Sequence, residues 1–301
     1  MPSKRLLTSI LLLIVLGFIW GSGYSLARYA MTHGVPPLGY SFWQASGPAV
    51  LLIIACIVGG QWQALTKKSY WKYYLICGLS GIAIPNTNMY FVANKLPAGI
   101  LAILVNTVPV IVYPLALGLR IEPKDIGRLF AVILGCAGIA FIINPSTNHI
   151  LTKWALVTLV SPLCFALCAL YISVKQPTKL SPLPAACGML VCASLLLIPL
   201  VWQQHAFYPI TWPMDRAQEV VLLEIILSTI GYLVFFRLIR LAGPVFYSLT
   251  GTVVALTGLF WGYILFNEQI DMHEQIGIVL IITALSLLSW RQSQIQKESE
   301  L

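Results

Sequence analysis

Apolar residues run almost unbroken for roughly 18 to 25 positions at a time, and polar residues collect in the short stretches between. Ten such runs lie near residues 6–29, 38–58, 71–92, 98–119, 126–144, 154–175, 183–202, 218–239, 244–266 and 275–291. As helices, runs of about 20 residues at about 1.5 Å each cross the ~30 Å hydrocarbon core of a bilayer. The connections are short and leave no room for a soluble domain. The pattern therefore predicts an all-α membrane protein of ten transmembrane helices. One run interrupts itself. "AILVNTVPVIVYPLALGLRIE", residues 102–122, carries Asn106, Thr107, Pro109, Tyr113 and Pro114 inside an apolar stretch. Each proline removes a backbone donor where no water can replace it.

Composition excludes most other classes. Of the 301 residues 58% are hydrophobic and 9% charged, against about 25% charged in a soluble domain. The net charge of +8 sits on residues placed singly or in pairs at the ends of apolar runs, so no basic stripe suggests nucleic acid. Seven cysteines (Cys56, Cys77, Cys136, Cys164, Cys168, Cys187 and Cys192) fall inside apolar runs and act as small apolar residues, without metal or disulfide spacing. No HExxH, GxSxG or phosphate-cradling glycine loop is present, so the chain offers little to an enzyme, a metal or a cofactor. Lys4 and Arg5 before the first run and Ser25-Leu26-Ala27 within it resemble a signal peptide, but the run is long and is expected to stay as the first span.

The charges also orient the chain. With both termini cytoplasmic, the inner ends hold Lys4, Arg5, Lys67, Lys68, Lys72, Arg120, Lys124, Arg128, Lys175, Lys179, Arg237, Arg240, Arg291 and Lys297, fourteen in all. The outer ends hold four: Arg28, Lys95, Lys153 and Arg216. That is the positive-inside bias of a multi-pass inner-membrane protein.

The halves resemble each other. A shift of 146 residues lays the interrupted stretch on "SLTGTVVALTGLFWGYILFNEQ", residues 248–269. Glu122 then falls on Glu268, Ala131 on Gly277 and Gly138 on Ala284. Five crossings separate the copies, so the second is inverted, an arrangement typical of secondary transporters. The expected division is a first five-helix repeat at 1–148, a second, inverted one at 149–292 and a cytoplasmic tail at 293–301.

"LGFIWGSGYSLARYAM" (16–31), "GYLVFFRLIRLAGPVFYSLTGTVVAL" (231–256) and the helix ends "LGLRIE" and "LFNEQI" resemble the drug/metabolite transporter superfamily, specifically its EamA-type ten-helix exporters. The likeness covers essentially the whole chain. It implies two inverted five-helix repeats, a central cavity lined by the first, third, fourth, sixth, eighth and ninth helices, and transport of small metabolites, most often outward. One departure is that Ala255 stands where the first repeat has Pro109.

Candidate substrate-binding residues follow from polar and aromatic positions inside the runs. Asn106 and Tyr113 share a helix face with Val110, and an amide beside a proline-weakened turn belongs against protein or cavity water. Trp20 and Tyr24 sit one turn apart, too deep for the interfacial belt, beside the packing glycines Gly17 and Gly21. Asn86 and Tyr90 continue the set on the third helix, Tyr171 on the sixth, and Tyr247 and Trp261 on the ninth. Glu224 is the one acidic residue flanked by apolar neighbours inside a span, with Ser228 on the same face. An ionised carboxylate there is costly unless water, a cation or a partner reaches it, which suits proton coupling or amine binding. Glu122 and Glu268, at helix ends, read as capping or solvated charges.

The expected function is a secondary-active transporter using alternating access on a small metabolite: an amino acid, an aromatic or an amine compound. No Walker motif is present, so a gradient supplies the energy, through proton coupling or by facilitated diffusion of the substrate itself. The lipid bilayer and the substrate are the expected partners, as monomer or homodimer. The alternatives are an importer of quaternary amines, a flippase of lipid-linked substrate, or, from another class, a membrane-embedded scaffold or sensor.

Overall fold

The computed structural model describes residues 2–143, 149–247 and 249–299; within the helices the side chains of 2–6, 149–151, 236, 239, 240, 242–247, 293 and 296–299 lie outside the description. The described residues form α1 (Pro2–Thr32), α2 (Pro37–Val58), α3 (Lys68–Val92), α4 (Ala98–Gly118), α5 (Ile126–Ile142), α6 (Thr152–Lys175), α7 (Pro182–Gln203), α8 (Arg216–Tyr247), α9 (Thr250–Phe266) and α10 (Met272–Ser299). A short helix, Trp62–Thr66, links α2 to α3. Eight of these contain stretches long and apolar enough to cross a membrane; α5 and α9 are apolar but only 17 residues long. Large apolar side chains such as Phe130, Ile133 and Val279 point outward from the bundle, as a lipid-facing surface requires.

Prolines shape the helices from within. A π turn, Leu79–Ala83, precedes Pro85 in α3, because the ladder widens where the proline offers no donor. In α4 the helix stops at Val105 and resumes at Val108, with Asn106 and Thr107 near ψ 6° just before Pro109. Both side chains fold back on the preceding turn: Asn106 Nδ2 donates to the Ala102 carbonyl at 2.8 Å and Thr107 Oγ1 to that of Leu104 at 2.6 Å, each beside a backbone amide on the same oxygen. The apolar run expected to start a ninth helix at 244 instead continues α8 to Tyr247, through Gly243-Pro244, and α9 starts at Thr250. The polar stretch after residue 291 continues α10 to Ser299, since Arg, Gln, Lys and Glu are good helix formers.

α5 packs most extensively against α10, α1 against α9 and α8, α2 against α7, and the first half of α4 against α9. The second half of α4 meets α6, while α3 meets α7 and α6, and α2 meets α8. Exchanging each helix for the one five places along the chain maps these contacts onto themselves. The caps obey the same exchange. Asp125 accepts from the Arg128 amide at 2.8 Å to start α5, and Asp271, 146 residues on, accepts from the Glu274 amide at 2.7 Å to start α10.

Small residues set the crossings. A Cβ on Gly138 would lie 2.7 Å from the Gly277 carbonyl, and one on Gly277 would lie 2.7 Å from that of Gly138, so α5 and α10 touch backbone to backbone. Ala131 and Ala284, the positions matched to them by the shift, are fully buried. On α1, Gly17 and Gly21 face Val253, Thr257 and Gly258 of α9, and the Thr257 hydroxyl donates to the Gly17 carbonyl at 2.6 Å.

Candidate functional site

A polar cluster lies where α1, α2, α3, α4 and α8 converge. Tyr24 of α1, Tyr40 of α2 and Tyr90 of α3 are buried in one core, and Tyr40 meets Tyr90 edge-on with centroids 4.7 Å apart. The Tyr24 hydroxyl accepts from Asn106 Nδ2 at 3.0 Å, so the broken turn of α4 and the middle of α1 share one amide. Glu224 of α8 enters from the other side. Its Oε1 accepts from Ser228 Oγ at 3.3 Å and abuts Gly23 of α1, where a Cβ would come within 2.7 Å. Its Oε2 is buried without a partner. Tyr40, Tyr90 and Tyr232 lie within electrostatic reach of this carboxyl. No cation pairs with it among the described residues, whose ion pairs all lie elsewhere.

Three more unpaired atoms belong to α2, one of them the hydroxyl of half-buried Ser46. The Tyr40 hydroxyl and Gln44 Oε1 are buried without partners, and Gln44 Nε2 donates to the Val221 carbonyl at 3.2 Å, one turn before Glu224. Sequence reasoning missed both residues. Their signal was a polar pair one turn apart, Tyr40 and Gln44, inside the apolar run of α2.

The remaining candidates disperse. Trp20 fills the space left by Gly231, against Tyr232 at 6.2 Å and Phe235 at 5.9 Å, so it wedges α1 to α8 beside the cluster. Asn86 is half-buried on α3, one turn before Tyr90. Tyr113 lies at the far end of α4, where its hydroxyl donates to the Pro123 carbonyl at 3.1 Å and accepts from the Asp125 amide at 2.8 Å. Arg128 stands over its ring at 5.3 Å. Tyr171 stacks on Tyr73 at 6.0 Å in a separate aromatic group with Tyr70 and Tyr74. Trp261 donates to the Phe18 carbonyl at 3.1 Å and packs with Phe18 and Phe260 on the outward face of α1 and α9. The Tyr247 side chain lies outside the described residues.

Cavities also lie among the described helices. One of about 880 Å³ opens between the start of α2, α3 and the end of α7, walled by Leu79, Ile84, Phe91 and Leu200 with Thr87 and Asn88 on one side. A smaller one, about 190 Å³, holds Tyr113, Glu122 and Arg128 among α4, α5, α6 and α10.

Charges close both ends. At one end Glu268 accepts from the amides of Ala98 at 2.6 Å and Gly99 at 3.0 Å and pairs with Arg28, which also lies over Phe266 at 4.7 Å. It therefore caps the start of α4 from the end of α9. At the other end Arg128 pairs with Glu122 at 2.9 Å and Arg291 with Asp125 at 2.6 Å. The Arg291 guanidinium holds the Asp125 carboxyl below the usual carboxylate range. That pairing tightens α5 on α10 at neutral pH and is lost as pH falls through the lowered value.

A bundle of apolar helices with a buried polar cluster is the architecture of a multi-pass membrane protein. The pattern of the EamA-like transporter family matches residues 7–144 and again 152–290, and the chain belongs to that family. It is 24% identical to "Uncharacterized transporter YvbV" of Bacillus subtilis (strain 168), over 97% of this chain and 94% of that one. It is 21% identical to "Protein PecM" of Dickeya dadantii (strain 3937), over 90% of this chain and 88% of the other. A solved protein crystal structure shares the fold with a TM-score of 0.64 at 14% identity, covering 93% of this chain and 97% of that one. The protein is a multi-pass transporter of the inner membrane.

Proposed function

We propose that the chain is a proton-coupled secondary transporter that exports a small metabolite, with an amine or amino acid as the favoured substrate class. Glu224 carries the reading: a buried carboxyl with one unpaired oxygen among tyrosines, in a chain with 9% charged residues. Such a group is retained in a bilayer only where a proton or a cationic ligand neutralises it. Tyr24, Tyr90, Asn106 and Ser228 surround or orient the same region, and Trp20 braces it. Ten spans in two inverted repeats, 1–148 and 149–292, are favoured by the double family match and by contacts that survive the five-helix exchange. The positive-inside bias favours cytoplasmic termini with the stretch at 293–301 as a tail. The Arg28–Glu268 closure then lies on the outer side, and alternating access requires it to open.

The test is reconstitution into proteoliposomes with labelled amino acids and amines, with and without a proton gradient. Gradient-driven flux is expected for at least one of them. Glu224→Gln is expected to remove the gradient's effect while the folded yield stays unchanged. Equal gradient response in Glu224→Gln overturns the assignment.

A further inference from the structure

We propose that Glu224, Tyr40 and Gln44 form a binding site for a primary ammonium group, their three unpaired oxygens accepting its three N–H bonds. Each residue is at least nine-tenths buried: Tyr40 is 0%, Gln44 5% and Glu224 8% exposed. In each, one polar oxygen lacks any partner: Oη of Tyr40, Oε1 of Gln44 and Oε2 of Glu224. Three orphans on two facing helices are costly to maintain empty, since a buried polar atom without a hydrogen bond loses its hydration for nothing.

The three lie on two helices that pack against each other. Tyr40 and Gln44 lie one turn apart on α2. The Gln44 amide is held by its bond to the Val221 carbonyl, which also fixes which end of the amide is free. A carbonyl can accept only from the NH₂ end, so the unpaired atom is the acceptor. Val221 lies one turn before Glu224 on α8, so Gln44 Oε1 is held on the side of α8 where α2 packs. The Tyr40 ring is fixed by Tyr90, and both lie within electrostatic reach of Glu224.

The chemistry of the atoms selects the ligand. A carboxylate and an amide oxygen are acceptors only, and a tyrosine hydroxyl can act as one. The missing partner is therefore a donor with several N–H bonds, and the carboxylate favours one that is positively charged. An anionic group would add acceptors to acceptors. A quaternary ammonium has no N–H and would leave all three oxygens unpaired, a loss that sites built on hydrogen bonds punish heavily. The site rests on the transporter reading above but adds residues of α2, a helix outside the six that the family resemblance assigns to the cavity.

The experiment measures binding of n-butylammonium, tetramethylammonium and butyrate to the purified full chain in detergent, by calorimetry at matched ionic strength. n-Butylammonium is expected to bind, and the other two to bind at least about tenfold more weakly, the scale of one lost charge-assisted bond. Gln44→Leu and Tyr40→Phe are each expected to weaken n-butylammonium by a similar factor, and Glu224→Gln to abolish it. Tyr40→Phe keeps the ring and its packing on Tyr90, so it remains informative if Gln44→Leu fails to fold. Tetramethylammonium binding as tightly, absent n-butylammonium binding, or unchanged affinity in Tyr40→Phe overturns the site. Proteoliposome flux on the same preparations separates the two readings. Flux without ammonium binding removes this site alone, and no flux for any labelled compound removes the transport assignment.

Discussion

Asn106 uses one amide group twice, for the Ala102 carbonyl of its own helix and for the Tyr24 hydroxyl of α1. The two contacts explain why an amide survives in an apolar run: both of its N–H groups are satisfied, and one of them ties α4 to α1. Interhelical bonds in membranes average about 0.6 kcal/mol and reach ~1.7 kcal/mol, because the unfolded state in lipid also finds partners. Asn106→Leu and Tyr24→Phe are accordingly expected to be non-additive, the double variant losing about 0.6–1.7 kcal/mol less stability than the sum of the singles. Unfolding in mixed micelles measures it, and strict additivity would break the pair. The sequence made Asn106, Tyr24 and Glu224 legible because each is an unusual residue type for its depth. Tyr40 and Gln44 were not, since nothing in a single run says which way its polar pair turns. Tyr113 and Trp261 were legible as aromatics, yet their bonds to Pro123, Asp125 and Phe18 depend on how helix ends come together.

At the scale of elements, prolines and glycines decide more than apolar content does. The break in α4 was foreshadowed by Pro109, whereas the π turn of α3 followed from Pro85, which drew no attention in a run already marked by amides. Span centres were legible from hydropathy, but ends were not: α8 extends through Gly243-Pro244 to Tyr247. The α5–α10 crossing supplies a direct test. Gly138→Val would force a side chain onto the Gly277 carbonyl and is expected to cost about 1–3 kcal/mol by overpacking. Gly118→Ala, at a glycine with nothing within 4 Å, is the matched control and is expected to leave melting unchanged. Comparable losses in the two variants would deny that the crossing is backbone-tight.

At the scale of the molecule, the shift of 146 residues reappears in the helix contacts and in the Asp125 and Asp271 caps. The cavity was less legible. The family resemblance implies a central one; the void of about 880 Å³ between α2, α3 and α7 was not foreseen, because side-chain packing rather than helix order decides where space is left. The arrangement of charge has a further consequence. Arg28, Arg128 and Arg291 each neutralise a carboxylate near the end of a helix, whereas Glu224, buried inside a span, has no cation among the described residues. A carboxyl carrying a proton is neutral, and so is a carboxylate holding an ammonium. Swapping one for the other therefore moves no net charge through the membrane field. A bare carboxylate would feel about 2.3 kcal/mol per 100 mV, a rate factor of ~50. Exchange of n-butylammonium for protons in proteoliposomes is thus expected to stop when the pH difference is collapsed, and to ignore a potassium diffusion potential. Flux that tracks the voltage would mean that Glu224 crosses unneutralised, and the energy available to the transporter would then include the electrical half of the proton gradient as well as the chemical half.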